Sequence, residues 1–202
     1  MTRRLGFGVD LSSCTGCKAC QIACKDKHRL PDGMLWRRVV EAQGGTWARK
    51  GDTWADLTHT YFMSVACMHC ERPICVEVCP SKAMQKREDG VVFVDPDRCI
   101  GCRYCEWACP YAAPQFDAET GVMTKCDLCR DHLEKGRAPA CVQACPMRVL
   151  TLENVEDVDE ESASTFPLPP ADLTGPVTLF RAHRDVAKAK RDGARIANDE
   201  EL

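Results

Sequence analysis

The feature that most constrains this chain is the placement of its cysteines, which fall into four groups of four with none left over. The groups are Cys14, Cys17, Cys20 and Cys24; Cys67, Cys70, Cys75 and Cys79; Cys99, Cys102, Cys105 and Cys109; and Cys126, Cys129, Cys141 and Cys145. The first and third share the spacing C-x2-C-x2-C-x3-C, the second widens one gap to four residues, and the fourth widens the same gap to eleven. Proline follows Cys79, Cys109 and Cys145. A pattern repeated four times is an internal repeat, and 16 cysteines in 202 residues are far more than packing alone calls for.

An iron-sulfur cubane takes one thiolate at each of four corners. Three cysteines spaced three positions apart let a short loop wrap three corners while its amides turn toward the sulfurs. The fourth cysteine lies beyond the loop. In the bacterial ferredoxin pattern C-x2-C-x2-C-x3-C-P it ligates the other cluster of a pair, so the groups work in twos. Sixteen thiolates at four per cluster correspond to four [4Fe-4S] clusters. Two other readings use the same residues. A zinc-organised interaction module would need only two-cysteine knuckles, leaving the third cysteine and the Cys-Pro unexplained. A disulfide framework needs no particular spacing, and cysteines this close on a tight loop rarely reach bridging geometry.

The remaining composition is that of a folded chain of one or two domains, 45% apolar and 28% charged, which excludes collagen, coiled coil and wholesale disorder. Against 30 acidic residues stand 27 basic ones, a net charge of -3, so no nucleic-acid partner is expected. Mean hydropathy is -0.31, and no apolar run approaches the roughly 18 residues that a spanning helix needs, so no direct membrane span is expected. Arg3-Arg4 could pass for an export signal, but Asp10 and Cys14 arrive before an apolar region could form. The expectation is therefore export, if any, in complex with a partner. P-loop, G-x-G-x-x-G and Cys-x-x-Cys-His motifs are absent, which leaves no nucleotide, flavin or covalent haem site by motif.

Each group follows a short run with strand character: Phe7 to Val9, Tyr61 to Val65, Val91 to Val94 and Val122 to Thr124. Strand, ligand loop and short helix, repeated, predict an α+β fold. Asp89-Gly90 is a hairpin turn that keeps groups two and three adjacent. These form an inner ferredoxin-like 2[4Fe-4S] unit over 60–116. Groups one and four form an outer one from 1–29 and 117–152, so that the two units nest. Residues 30–59 are an inserted hairpin region carrying Trp36, Trp47 and Trp54, read chiefly as core packing and alternatively as a partner surface. An extended C-terminal tail over 153–202 opens with Glu156, Asp157, Asp159, Glu160 and Glu161. It passes through Pro167, Pro169 and Pro170 and ends in a basic stretch, a composition that suits a solvated tail or a strap along a partner.

Lys18, Arg103, Lys125 and Arg130 adjoin ligands and either stabilise reduced clusters or are ordinary surface charges. His69 lies between Cys67 and Cys70, whose group already has four thiols, so it is read as supporting or solvated. His28, His59, His132 and His183 have no ligand spacing and are read as structural or solvated. So much of the chain serves the cysteine groups that little remains for a substrate pocket. The chemistry expected is one-electron relay, with a donor and an acceptor on other proteins and no catalytic residue here.

Four stretches carry a resemblance to a known family: CTGCKACQIACKD (14–26), CMHCERPICVEVCPSKAMQKREDG (67–90), CIGCRYCEWACPYAAPQFD (99–117) and MTKCDLCRDHLEKGRAPACVQACPMRVL (123–150). The sequence resembles the iron-sulfur subunit of the dimethyl sulfoxide reductase family of membrane-bound molybdoenzymes. Membership implies that Cys14, Cys17, Cys20 and Cys145 hold the cluster nearest a molybdopterin catalytic subunit, and that Cys24, Cys126, Cys129 and Cys141 hold the next. Cys67, Cys70, Cys75 and Cys109 would hold the third. Cys79, Cys99, Cys102 and Cys105 would hold the cluster nearest a quinone-reactive integral membrane anchor subunit. Some relatives carry tryptophan in the third group and a three-iron cluster; here Cys102 is present, so four cubanes are expected. The resemblance implies membrane association through the partner subunits, on the periplasmic side by co-export or on the cytoplasmic face. Dimethyl sulfoxide is the favoured terminal substrate, with polysulfide, thiosulfate, tetrathionate and sulfite enzymes as alternatives. A soluble polyferredoxin serving several enzymes is the nearest different assembly.

Overall fold

The computed structural model describes residues 4–155 and 166–201. The chain opens with β1 (Leu5–Asp10), whose apolar Leu5, Phe7 and Val9 are all buried, followed by α1 (Ala19–His28). Next come β2 (Arg38–Gly44), β3 (Trp47–Lys50), β4 (Thr53–Asp56) and β5 (His59–Val65). Then follow α2 (Ile74–Glu77), β6 (Met84–Lys86), β7 (Val92–Val94), α3 (Tyr104–Ala108), β8 (Gln115–Asp117) and β9 (Val122–Thr124). The fourth cysteine group spans α4 (Arg130–Leu133) and α5 (Ala140–Gln143), and β10 (Leu150–Asn154) closes it. The last described part holds β11 (Leu179–Arg181), α6 (Val186–Asp192) and β12 (Arg195–Ile196).

Two three-stranded sheets, ordered β10-β1-β11 and β12-β2-β5, feed one apolar core containing Phe7, Val9, Val40, Tyr61, Met63 and Phe180. β1 runs antiparallel to β10, with Phe7 opposite Leu152, and this pairing ties the segment before the first cysteine group to the segment after the fourth. Between the second and third groups, β6 and β7 form a hairpin through Asp89-Gly90. The strands expected from sequence before each group are β1, β5, β7 and β9.

The insertion contains a hairpin, β3 with β4, on a two-residue turn at Gly51 and Asp52. Its tryptophans divide. Trp36 is half-buried and its Nε1 donates to Thr124 Oγ1 at 3.1 Å. Trp47 and Trp54, on the hairpin, are 58% and 65% exposed, so the core-packing expectation does not describe them.

The tail departs most from its sequence reading. Its acidic run, Glu156 to Glu161, lies outside the described residues. Beyond it the chain returns to its own body: β11 adds in parallel to β1 with Phe180 opposite Val9, and β12 adds antiparallel to β2. Val177, Phe180 and Ala189 are buried, and Tyr61 Oη donates to the Phe166 carbonyl at 2.8 Å. A proline-rich, charged segment buries little alone, but two sheet edges offer it backbone partners and a preformed apolar surface. Phe180→Ala is expected to cost about 3 kcal/mol and lower the thermal midpoint by about 6 °C or more. Leu173→Ala, at a 57% exposed position, is expected to stay within about 0.5 kcal/mol. Equal midpoints for the two variants in anaerobic thermal melts would contradict the packing of the tail.

Candidate iron-sulfur centres

The four cysteine groups share one local geometry. In the first C-x2-C of each group the second intervening residue is left-handed: Gly16 at φ +69°, His69 at +45°, Gly101 at +65° and Leu128 at +59°. That turn curls the backbone so that successive amides face one concave side. The third cysteine of each group is the second residue of a helix: Cys20 in α1, Cys75 in α2, Cys105 in α3 and Cys141 in α5. Groups one and three, with the shorter gap, enter their helices from left-handed Lys18 and Arg103; groups two and four, with the wider gap, enter from Pro73 and Pro139. Proline then ends three of these helices within one turn, since it can neither donate to the helix nor let its predecessor stay helical. The first group has no such proline, and α1 runs ten residues to His28.

None of the sixteen cysteines is paired in a disulfide. Cys17 is exposed, nine are buried, and the rest are half-buried. Cys14 lies within electrostatic reach of Cys17, Cys20 and Cys145. Cys24 lies within reach of Cys129 and Cys141, and Cys126 of Cys24 and Cys141. Cys75 neighbours Cys67, Cys70 and Cys109, and Cys105 neighbours Cys79, Cys99 and Cys102. Links also run between these neighbourhoods, from Cys20 to Cys141 and from Cys126 to Cys67, while Cys75 and Cys105 share a small apolar cluster with Met84, Val92 and Met123.

Burial is the main force on the thiols. It pushes Cys24 and Cys70 up to about 12 and Cys105 and Cys129 up to about 11, with neighbouring thiols adding to the rise. Cys79 is different: burial raises it, but the Met84 amide, 3.4 Å from its sulfur, and other donors around Ser81 and Ala83 outweigh that and lower it. Protonated thiols must lose their protons to bind iron, so loading such sites releases acid.

Donors to sulfur come from far along the chain. Thr174 Oγ1 donates to Cys70 Sγ at 3.2 Å, and the Met123 amide to Cys99 Sγ at 3.3 Å. His69 is fully buried; its Nδ1 accepts from the Val92 amide at 3.0 Å, leaving Nε2 to carry the proton and face Cys126 Sγ at 3.9 Å. His28 Nε2 lies 3.4 Å from Cys129 Sγ, with its ring against Trp36. Of the four cations singled out by sequence, only Lys125 is buried, and its Nζ donates to the Val92 and Cys126 carbonyls. Arg103 is paired with Glu106 and Arg130 with Asp127. Sequence reasoning missed Arg37, Ser64 and Thr174. Arg37 is 1% exposed, lies among Cys20, Cys24, Cys126 and Cys141, and leaves Nε and Nη2 without acceptors. No short-range spacing links any of the three to a cysteine motif, so the sequence offered no signal.

Residues 58–155 match the family described as a 4Fe-4S dicluster domain. An anaerobic dimethyl sulfoxide reductase chain of Escherichia coli (strain K12) is 42% identical to this protein over 205 residues, covering the whole of both. The chain belongs to the dimethyl sulfoxide reductase iron-sulfur subunit family. The counterpart from Haemophilus influenzae is 46% identical over 183 residues, 89% of each sequence. A polysulfide reductase chain of Wolinella succinogenes is 40% identical over 158 residues, 78% of this protein and 80% of its own length. As a member of this family the chain is an electron-transport protein that carries [4Fe-4S] clusters. Its residues suit that cofactor: Cys14, Cys17, Cys20 and Cys145 line one small cavity together with Ser64, and the unpaired Arg37 N–H groups call for a buried anionic acceptor.

A Cβ at Gly101 would stand 2.4 Å from the Gly121 carbonyl oxygen, whereas one at Gly136, also left-handed, would meet nothing within 4 Å. Gly136→Ala is expected to cost about 1 kcal/mol of backbone strain with full iron content. Gly101→Ala is expected to lose iron and visible absorbance from its own loop. Equal iron in the two purified variants would contradict the geometry described for that loop.

Proposed function

We propose that the chain is the non-catalytic electron-transfer subunit of a dimethyl sulfoxide reductase. It relays electrons through four [4Fe-4S] clusters between a quinone-reactive membrane anchor subunit and a molybdopterin catalytic subunit. Cys14, Cys17, Cys20 and Cys145 are the ligands at the catalytic end, followed by Cys24, Cys126, Cys129 and Cys141, then Cys67, Cys70, Cys75 and Cys109. Cys79, Cys99, Cys102 and Cys105 are the ligands at the anchor end. The inner unit, 60–116, is nested within the outer one, 1–29 with 117–152. The observation that carries this reading is the electrostatic proximity of thiols within each proposed set, together with links from one set to the next. Contact between α1 and α5 and pairing of β1 with β10 support the outer unit, as contact between α2 and α3 supports the inner one.

Each bound cluster supplies reversible one-electron chemistry. The chain's own contribution is to hold the thiols at fixed spacing, exclude water from them, and direct amide, hydroxyl, imidazole and guanidinium N–H or O–H groups at sulfur. Exposed apolar side chains flank both ends of the proposed path. Ile22 and Met147 lie beside the first set, and Ile100, Tyr104 and Trp107 beside the last. Such patches suit partner subunits. No helix among the described residues is long and apolar enough to cross a membrane; attachment is assigned to the anchor subunit. The polysulfide reductase relative favours a second reading, the same relay in a polysulfide enzyme.

Cys102→Ser is expected to remove or convert a single cluster and leave three, read by electron paramagnetic resonance of the reduced protein; loss of two or more would contradict the ligand sets. The isolated chain is expected to show no sulfoxide reduction with an artificial donor, and turnover by it alone would overturn the relay.

A further inference from the structure

Arg37 precedes β2 and is 1% exposed, and among the described residues no carboxylate pairs with it. Its guanidinium packs 4.2 Å from the centroid of the Phe7 ring. Nη1 donates to Ser64 Oγ at 3.0 Å, and Ser64 Oγ lies 3.3 Å from Cys20 Sγ. Because the serine oxygen accepts from Arg37, its own proton is free to point at the Cys20 sulfur. Nε and Nη2 are buried without acceptors. Cys141, Cys20, Cys126 and Cys24 all lie within electrostatic reach of the guanidinium. A buried guanidinium without a carboxylate is costly, and a permanent cation with unused donors calls for an anion at the positions they face.

We infer that Arg37 is a shared counter-cation of two clusters, those of the Cys14/Cys17/Cys20/Cys145 and Cys24/Cys126/Cys129/Cys141 sets, donating directly to sulfur in the second and through Ser64 in the first. The inference rests on the four-cluster reading above. Arg37 is a positioning residue: it favours the more negative, reduced form of both clusters and holds their potentials up together. Lysine cannot reproduce this, because its compact ammonium lacks the planar fork that reaches two sites at once.

The test is a potentiometric titration of the full chain, purified anaerobically, followed by electron paramagnetic resonance in wild type, Arg37→Gln and Arg37→Lys. In Arg37→Gln the reduction equilibrium of two clusters is expected to fall about tenfold or more, which is 59 mV for a one-electron couple, with the other two unmoved. Arg37→Lys is expected to recover part of the shift. Four clusters in every protein with no shift, or with an equal shift in all four, would overturn the role of Arg37 alone, whereas fewer than four reducible clusters in wild type would overturn the reading beneath it. Should Arg37→Gln fail to assemble, wild type grown with 15N-arginine decides: pulsed resonance of the reduced protein is expected to detect a guanidinium nitrogen coupling that is lost in Arg37→Lys. No such coupling, or one that persists in Arg37→Lys, would overturn the inference.

Discussion

A thiolate in a dry interior beside other thiolates persists only when positive charge shares its place, and the rest of this protein is arranged around that requirement. Nine of the sixteen cysteines are buried, and wherever a shift is resolved among the sixteen, burial favours the protonated thiol; only at Cys79 do hydrogen-bond donors outweigh it. Iron is the charge that reverses this, because a bound metal inverts the local preference for the neutral thiol. The buried cations Arg37 and Lys125 and the donors from Thr174, His69 and main-chain amides act in the same direction on a smaller scale. Packing and cofactor chemistry are therefore one problem here: Cys20, Cys126 and Cys141 belong to the same apolar core as Phe7, Val40 and Met63.

The backbone solves the positional half of that problem four times over. A left-handed residue before the second cysteine and a helix entered one residue before the third recur in all four groups, and a proline after the fourth cysteine in three of them. The fourth group's long gap accommodates α4 without altering the frame. Where the proline is missing, α1 continues, and its extra turns bring Lys27 to Asp131 at 2.8 Å and His28 to Cys129. One sequence difference thus carries the first group's helix to the fourth group.

Much of this was legible beforehand because it is local. Strand runs before each group, the Asp89-Gly90 hairpin and the cysteine spacing all act over a few residues. The tail was not legible, since Val177 and Phe180 gain their burial from β1, at the opposite end of the chain, and a charged, proline-rich composition says nothing about vacant sheet edges. Arg37 and Arg38 stand in a Trp-Arg-Arg-Val run that carries no local signal of burial, yet both are 1% exposed. Their partners, Ser64 for Arg37 and the Tyr111 carbonyl for Arg38, lie far along the chain. Trp47 and Trp54 erred in the other direction, because aromatic content alone does not say on which side of a two-stranded hairpin the core lies.

The proposed relay rests on four cubanes in one small chain. Native mass spectrometry of the protein, kept free of oxygen from lysis onward, measures this directly. The predicted mass is that of the 202-residue chain plus four [4Fe-4S] units, one iron for each of its 16 cysteines. A chain carrying zinc ions, or one lighter by paired cysteine protons and free of inorganic sulfide, would contradict it.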